Sequence, residues 1–406
     1  MKDDFYFENE NAENIPPVSF NEEEKNRDVE IDFSETFENN VDNSNNVINN
    51  RIFDDTAENS QFQNVFQPNY YRYQQSYQHF NKTPFQSEEQ IKLYIEKGDV
   101  KKTSNIIGVG LILFMAVNLV ISFIFPFLSI NKEVADFIRD PAVLLELNLL
   151  LSVLSFGLAG IFILKSQNLK ASSIISYGPP KKQGFLPAIL TGIGFCYTAN
   201  IVVSMLQVRF QSVLPFAEPE IELPTGVFGF ALGIISVALA PALIEEFLFR
   251  SVIMGSLLKF GKGFAIFTSA FLFGLVHGNL IQIPFAFLVG IVIGAMVVET
   301  NSIWTGVIIH FINNLISVLL QYSKNIIDEN IINVLYLFLI AFFIIVGFFA
   351  FHMLSLKNKD LFNYKMEKNN NSSALQKFGW LASTASIIVY FVAIILEIIT
   401  TQITAG

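Results

Sequence analysis

The sequence predicts an all-α polytopic membrane protein, a bundle of about 8–9 transmembrane helices with a disordered acidic N-terminal tail. Three observations predict it. Of the 406 residues, 52% are hydrophobic and only 15% charged, a balance outside that of soluble globular domains. Apolar stretches long enough to cross a bilayer follow one another from about residue 105 to residue 400. The acid is confined to the front: residues 1–60 carry 17 Asp/Glu against four Lys/Arg, a net −13, so the formal −10 of the whole chain leaves +3 for residues 61–406. A soluble acidic protein is excluded by that division, and no nucleic-acid partner is expected.

Residues 1–100 read as a cytoplasmic tail. Its first part is rich in Asn and acid, and residues 61–80 alternate Gln with Tyr and Phe. Such a segment lacks the aliphatic content to offset the entropy of folding. It has no evident role beyond tethering or binding an unidentified partner. Within it, Ser87-Glu88-Glu89-Gln90 opens a short capped amphipathic helix over 87–98, at the membrane surface or leading into the first span. The opening Met1-Lys2-Asp3-Asp4 does not read as a signal peptide. Cys196, the single cysteine, has no partner for an intrachain disulfide.

The bundle occupies residues 101–406. Spans are expected at about 105–129, 142–164, 185–207, 227–250, 263–279, 282–299, 303–321, 331–354 and 379–400. The nearly continuous apolar stretch 263–299 is divided at Gly278-Asn279, a turn dipeptide. Gly229/Gly233 and Gly290/Gly294 have the four-residue spacing of tight helix–helix contacts. Lysines set the orientation. Lys97, Lys101, Lys102, Lys165, Lys170, Lys181, Lys182, Lys259, Lys262 and the five between Lys357 and Lys377 all fall in loops on one side. The amino terminus is therefore expected in the cytoplasm and the carboxyl terminus outside. Low-complexity Asn and Lys usage hints at an AT-rich genome, hence at a bacterial plasma membrane.

The polar residues inside the spans carry the chemistry. Glu245 and Glu246 stand in the fourth span, where ionisable groups are costly and usually functional. Arg250, four residues after Glu246, lies on the same helical face and can neutralise it. Glu245 points about 100° away and has no partner in its own segment. Pro241 cannot donate a backbone hydrogen bond and so frees the carbonyl of Val237. His277 ends the fifth span. His310 and Asn314 share one face of the seventh. Burying six polar groups separately costs several kcal/mol each, about what makes convergence on one polar cavity the better solution. By these boundaries Glu245 and His277 differ in depth by about 10 Å. The expectation is that span four runs on through Leu258, with residues 216–236 partly interfacial or re-entrant.

Such a cavity suits hydrolysis. Glu245, His277 and His310 can hold zinc or another divalent metal with an open position for water. Without metal, Glu245 and a histidine can polarise the water as a general-base pair. Asn314 can donate to the developing oxyanion. No organic cofactor is called for.

Taken in order, Glu-Glu-x-x-x-Arg, Phe-x-x-x-His and His-x-x-x-Asn, each in its own apolar segment between about 225 and 320, resemble the CPBP intramembrane proteases. That family includes the type II CAAX prenyl endopeptidases and the Abi and bacteriocin-immunity proteins. The resemblance implies hydrolysis of membrane-associated or lipid-anchored peptides inside the bilayer. It gives Glu245 the water-activating role and Glu246 and Arg250 supporting ones. His277 and His310 become metal ligands or water-orienting groups, and Asn314 the oxyanion partner. The alternative is a non-catalytic scaffold or immunity-type protein that uses the same pocket to bind a peptide or partner.

Overall fold

The computed structural model describes residues 87–180, 184–211, 223–357, 361–362 and 371–405. Most of the predicted tail and the lysines at 181, 182, 359, 365 and 368 lie outside them. Among the described residues all regular structure is helical.

The first helix, α1, spans Glu88–Leu128. Its start is the predicted capping box: Ser87 Oγ accepts from the Gln90 N–H, and Gln90 Oε1 accepts from the Ser87 N–H. The surface helix and the first span are one continuous rod, beginning inside the segment assigned to the tail. At 1.5 Å per residue its 41 residues reach about 60 Å, twice a hydrocarbon core, so one end projects beyond it. A short α2 (Lys132–Ile138) and α3 (Pro141–Ser166) follow, each opened by an Asx cap, from Asn131 and Asp140. A one-turn α4 (Ala171–Ile174) and the loop after it lead to α5 (Phe185–Gln211).

The fourth span, α6, runs Gly226–Phe260, 35 residues. It runs past Arg250 and on through Leu258, as expected, so Glu245 falls near its middle. Its first described turns, from Gly226, are helical, and residues 216–222 of the segment expected to be partly interfacial or re-entrant lie outside the described residues. Two π-helical stretches, Ile234–Leu239 and Phe247–Met254, flank the α-helical Ala240–Glu246 that holds Pro241 and both glutamates. Such wide turns recur at functional sites, and here they bracket a residue that cannot donate to the ladder.

Next, α7 is only Lys262–Leu275, 14 residues or about 21 Å, too short to cross a hydrocarbon core alone. The turn that follows passes through Gly278, whose φ of +60° suits a residue without Cβ. Asn279 Oδ1 then accepts from the N–H groups of Ile281 and Gln282 and opens α8 (Gln282–Thr300). The turn stands where Gly278-Asn279 predicted it. α9 (Ile303–Ser323) and α10 (Glu329–Lys357) are single apolar rods. The last predicted span is a broken pair, α11 (Ala374–Ala382) and α12 (Ala385–Ala405), bent by 75°. Among the described residues seven helices are long and apolar enough to cross a membrane, or eight with the bent pair as one span. The predicted nine differ by the short α7.

Small residues set the packing. Gly290 and Gly294 let α8 approach Ala270 and Ile266 of α7, as their spacing predicted. Gly229 and Gly233 serve a different contact, against Pro224 and Tyr322. A pair with no sequence signal of its own is Gly194 on α5 and Gly347 on α10, where an added Cβ meets the facing glycine.

Polar ties fix which helix ends meet. At the end where α1 begins, the buried Lys377 Nζ pairs with Glu96 Oε1 at 3.0 Å and donates to the Phe260 carbonyl at 2.6 Å. At the opposite end Tyr322 Oη donates to the Pro224 carbonyl and Gln207 Nε2 to that of Ile281. Removing one member of a buried pair strands the other. Lys377→Met is therefore expected to destabilise the bundle by roughly 3 kcal/mol, and adding Glu96→Gln to recover much of it, measured by thermal unfolding in mild detergent.

Candidate active site

The site is built on α6. Glu246 and Arg250 are both fully buried, and Glu246 Oε2 lies 3.1 Å from Arg250 Nε, the i,i+4 pairing the sequence predicted. They meet as an ion pair rather than as an aligned hydrogen bond. Glu246 Oε1 lies 3.0 Å from His310 Nδ1, across from α9. A carboxylate only accepts, so Nδ1 carries the proton and Nε2 of a neutral imidazole keeps its lone pair. That Nε2 stands 3.8 Å from Glu245 Oε2. Glu245 is 16% exposed where Glu246 is sealed. One carboxylate is thus committed to structure and the other is open to a reactant. A single water can bond to both Glu245 and His310 Nε2 at this separation.

Close approach of α9 needs Gly306, one turn before His310. A Cβ there would come 2.8 Å from Glu246 Oε2 and 2.7 Å from Val297 Cγ2. One turn after His310, Asn314 Nδ2 donates to the Val237 carbonyl at 3.2 Å, the group that Pro241 leaves unserved. Asn314 Oδ1 accepts from Asn313 Nδ2.

From α7, Phe273 lies under the Arg250 guanidinium, 4.8 Å from its carbon, and meets the His310 and His277 rings edge-on. His277 stands just beyond the helix end, its Nδ1 2.9 Å from the Phe273 carbonyl, so its Nε2 also keeps a lone pair. The structure therefore joins Glu245, Glu246, Arg250 and His310 directly and sets Asn314 one turn along. His277 sits apart, at the edge. Among the described residues no three His, Cys, Asp or Glu side chains gather closely enough to share an ion. Glu245, His277 and His310 are thus not gathered around one point in this arrangement, and the Phe273 ring packs edge-on against both imidazoles.

A strap closes the end of the site away from Asn314. Tyr177 Oη donates to Ser251 Oγ at 2.8 Å, Trp304 Nε1 to the Tyr177 carbonyl, Ser302 Oγ to that of Gly178, and the Ile303 N–H to that of Ser176. Burial pushes the Tyr177 phenol above its ordinary pKa, so it remains a donor. Glu245, His277, Asn313 and Asn314 are only half-buried, so the centre opens toward their end.

Gly306, Ser269 and the strap were not among the residues singled out from the sequence. The two former had a signal: Ser269, Phe273 and His277, and again Gly306, His310 and Asn314, recur at four-residue spacing along one face.

These features define a multi-pass membrane protein with a glutamate–histidine centre sealed at one end. Residues 227–316 match the family described as type II CAAX prenyl endopeptidase Rce1-like, a stretch that holds all three motifs and supports membership of the CPBP membrane proteases. No curated protein and no solved structure matches the chain.

Proposed function

We propose that this chain is an intramembrane endopeptidase that hydrolyses membrane-associated or lipid-anchored peptides with water activated by Glu245 and His310. The observation that carries the reading is the unequal pair of adjacent carboxylates: Glu246 is locked between Arg250 and His310, while Glu245 faces the accessible side beside a free imidazole nitrogen. Glu245 takes the proton from the water as it attacks the scissile carbonyl, and the carbon becomes tetrahedral. His310 Nε2 orients the same water, held in its tautomer by Glu246. The second amide hydrogen of Asn314 is free to meet the developing oxyanion. Glu245 then returns its proton to the leaving amine, and the peptide bond breaks. Lys101, Lys102, Lys165, Lys170, Lys259 and Lys262 cluster at the strap end, which supports a cytoplasmic position for that end and an opening toward the outer half of the membrane.

The test compares peptide termini in membranes of bacteria expressing wild type or Glu245→Ala at matched levels. Termini near membrane segments that vanish in the variant are expected. Identical sets from two folded, abundant proteins would favour the binding scaffold instead.

A further inference from the structure

We propose that Ser269 on α7 is a positioning residue of the site, a clamp that fixes Arg250 and through it Glu246 and His310. This rests on the endopeptidase reading for its catalytic consequence. Ser269 is buried, 1% exposed, and its hydroxyl works in both directions. It donates to the Phe249 carbonyl at 2.6 Å, inside the second π-helical stretch of α6, and accepts from Arg250 Nη1 at 3.5 Å. Arg250 presents three nitrogens with no access to water. Only Nη1 finds a hydrogen-bond acceptor among the described residues, and that acceptor is Ser269. The other restraints on the guanidinium are non-directional: the Glu246 charge and the Phe273 face. A guanidinium held by charge and a ring can rotate in its plane. A serine that grips both the side chain and the backbone one residue before it cannot follow that rotation. Because Glu246 bridges Arg250 and His310, rotation of Arg250 shifts the carboxylate that sets the His310 tautomer. Gly306 approaches Glu246 on its other side, where an added Cβ would lie 2.8 Å from Oε2.

The experiment uses the full chain in lipid nanodiscs and a synthetic peptide spanning a Glu245-dependent cleavage site found as above. Ser269→Ala is expected to lower kcat by roughly 10- to 100-fold with KM unchanged, as for a lost bond to a charged group. Amide hydrogen exchange is expected to rise over residues 247–254 and nowhere else. Ser269→Thr, which keeps the hydroxyl, is expected to stay within about threefold of wild type on both readouts. Equal losses in the alanine and threonine variants would overturn the proposal, as would exchange rising across the whole bundle or no change in either readout. A local rise in exchange with Ser269→Ala, in a protein whose wild type cleaves nothing, would overturn the endopeptidase reading while still supporting the clamp.

Discussion

Glu245→Gln is expected to lower peptide cleavage by roughly 10²- to 10⁴-fold, the usual worth of a positioned general base. The amide is nearly the same size and still hydrogen-bonds, but it cannot take a proton from water. Stability should hardly move. Glu245 is 16% exposed and His310 Nε2, which keeps its lone pair, is 3.8 Å away, so no tight pair is broken by neutralising it. Cleavage of the same peptide in nanodiscs, with thermal unfolding run alongside, measures both. A variant that keeps more than a tenth of wild-type activity would remove Glu245 from the chemistry. One that loses activity and fold together would make it a structural residue.

Much of this centre is legible in the sequence because helical geometry turns spacing into direction. Glu246 and Arg250 at i,i+4 had to share a face, and Pro241 had to leave a carbonyl unserved. What spacing cannot give is the occupant of that vacancy. Asn314 supplies it from another helix, so the residue expected at an oxyanion already spends one amide hydrogen on the scaffold. Hydropathy ends span four at Arg250 because an ionised side chain normally closes an apolar run. Glu246 neutralises this one internally, and the helix continues to Phe260. Hydropathy is equally blind to the break at Ser383-Thr384, where both flanking segments are apolar and only backbone direction changes. Helical projection is equally silent on whether Glu245, His277 and His310 gather around one point, and in this arrangement they do not. His277 and His310 each face the polar centre in a helical projection, and each meets the ring of Phe273, which shares a face with His277, edge-on.

Arg250→Met and Glu246→Gln should each destabilise the bundle by roughly 3–5 kcal/mol, and the double variant by far less than their sum. Each single change leaves a charge or donor at 0% exposure without its counterpart. Arg250→Met is the harsher, because it strands a carboxylate that no water reaches and that then has only His310 to face. Without the guanidinium nothing holds Glu246 in place, and the arrangement in which Nδ1–H points at a carboxylate and Nε2 is free is lost. The double variant removes both charges and fills the space with apolar and amide groups, so the fold returns. Activity should not return with it, because glutamine in place of Glu246 no longer fixes His310 with Nδ1 protonated and Nε2 free to orient the water. A double-mutant cycle in mild detergent, read by unfolding and by cleavage, separates the two. A coupling energy below about 1 kcal/mol would mean that the pair is solvated in the membrane and that Glu246 is no more committed than Glu245. The asymmetry between neighbouring carboxylates, on which the whole mechanism stands, would then be gone.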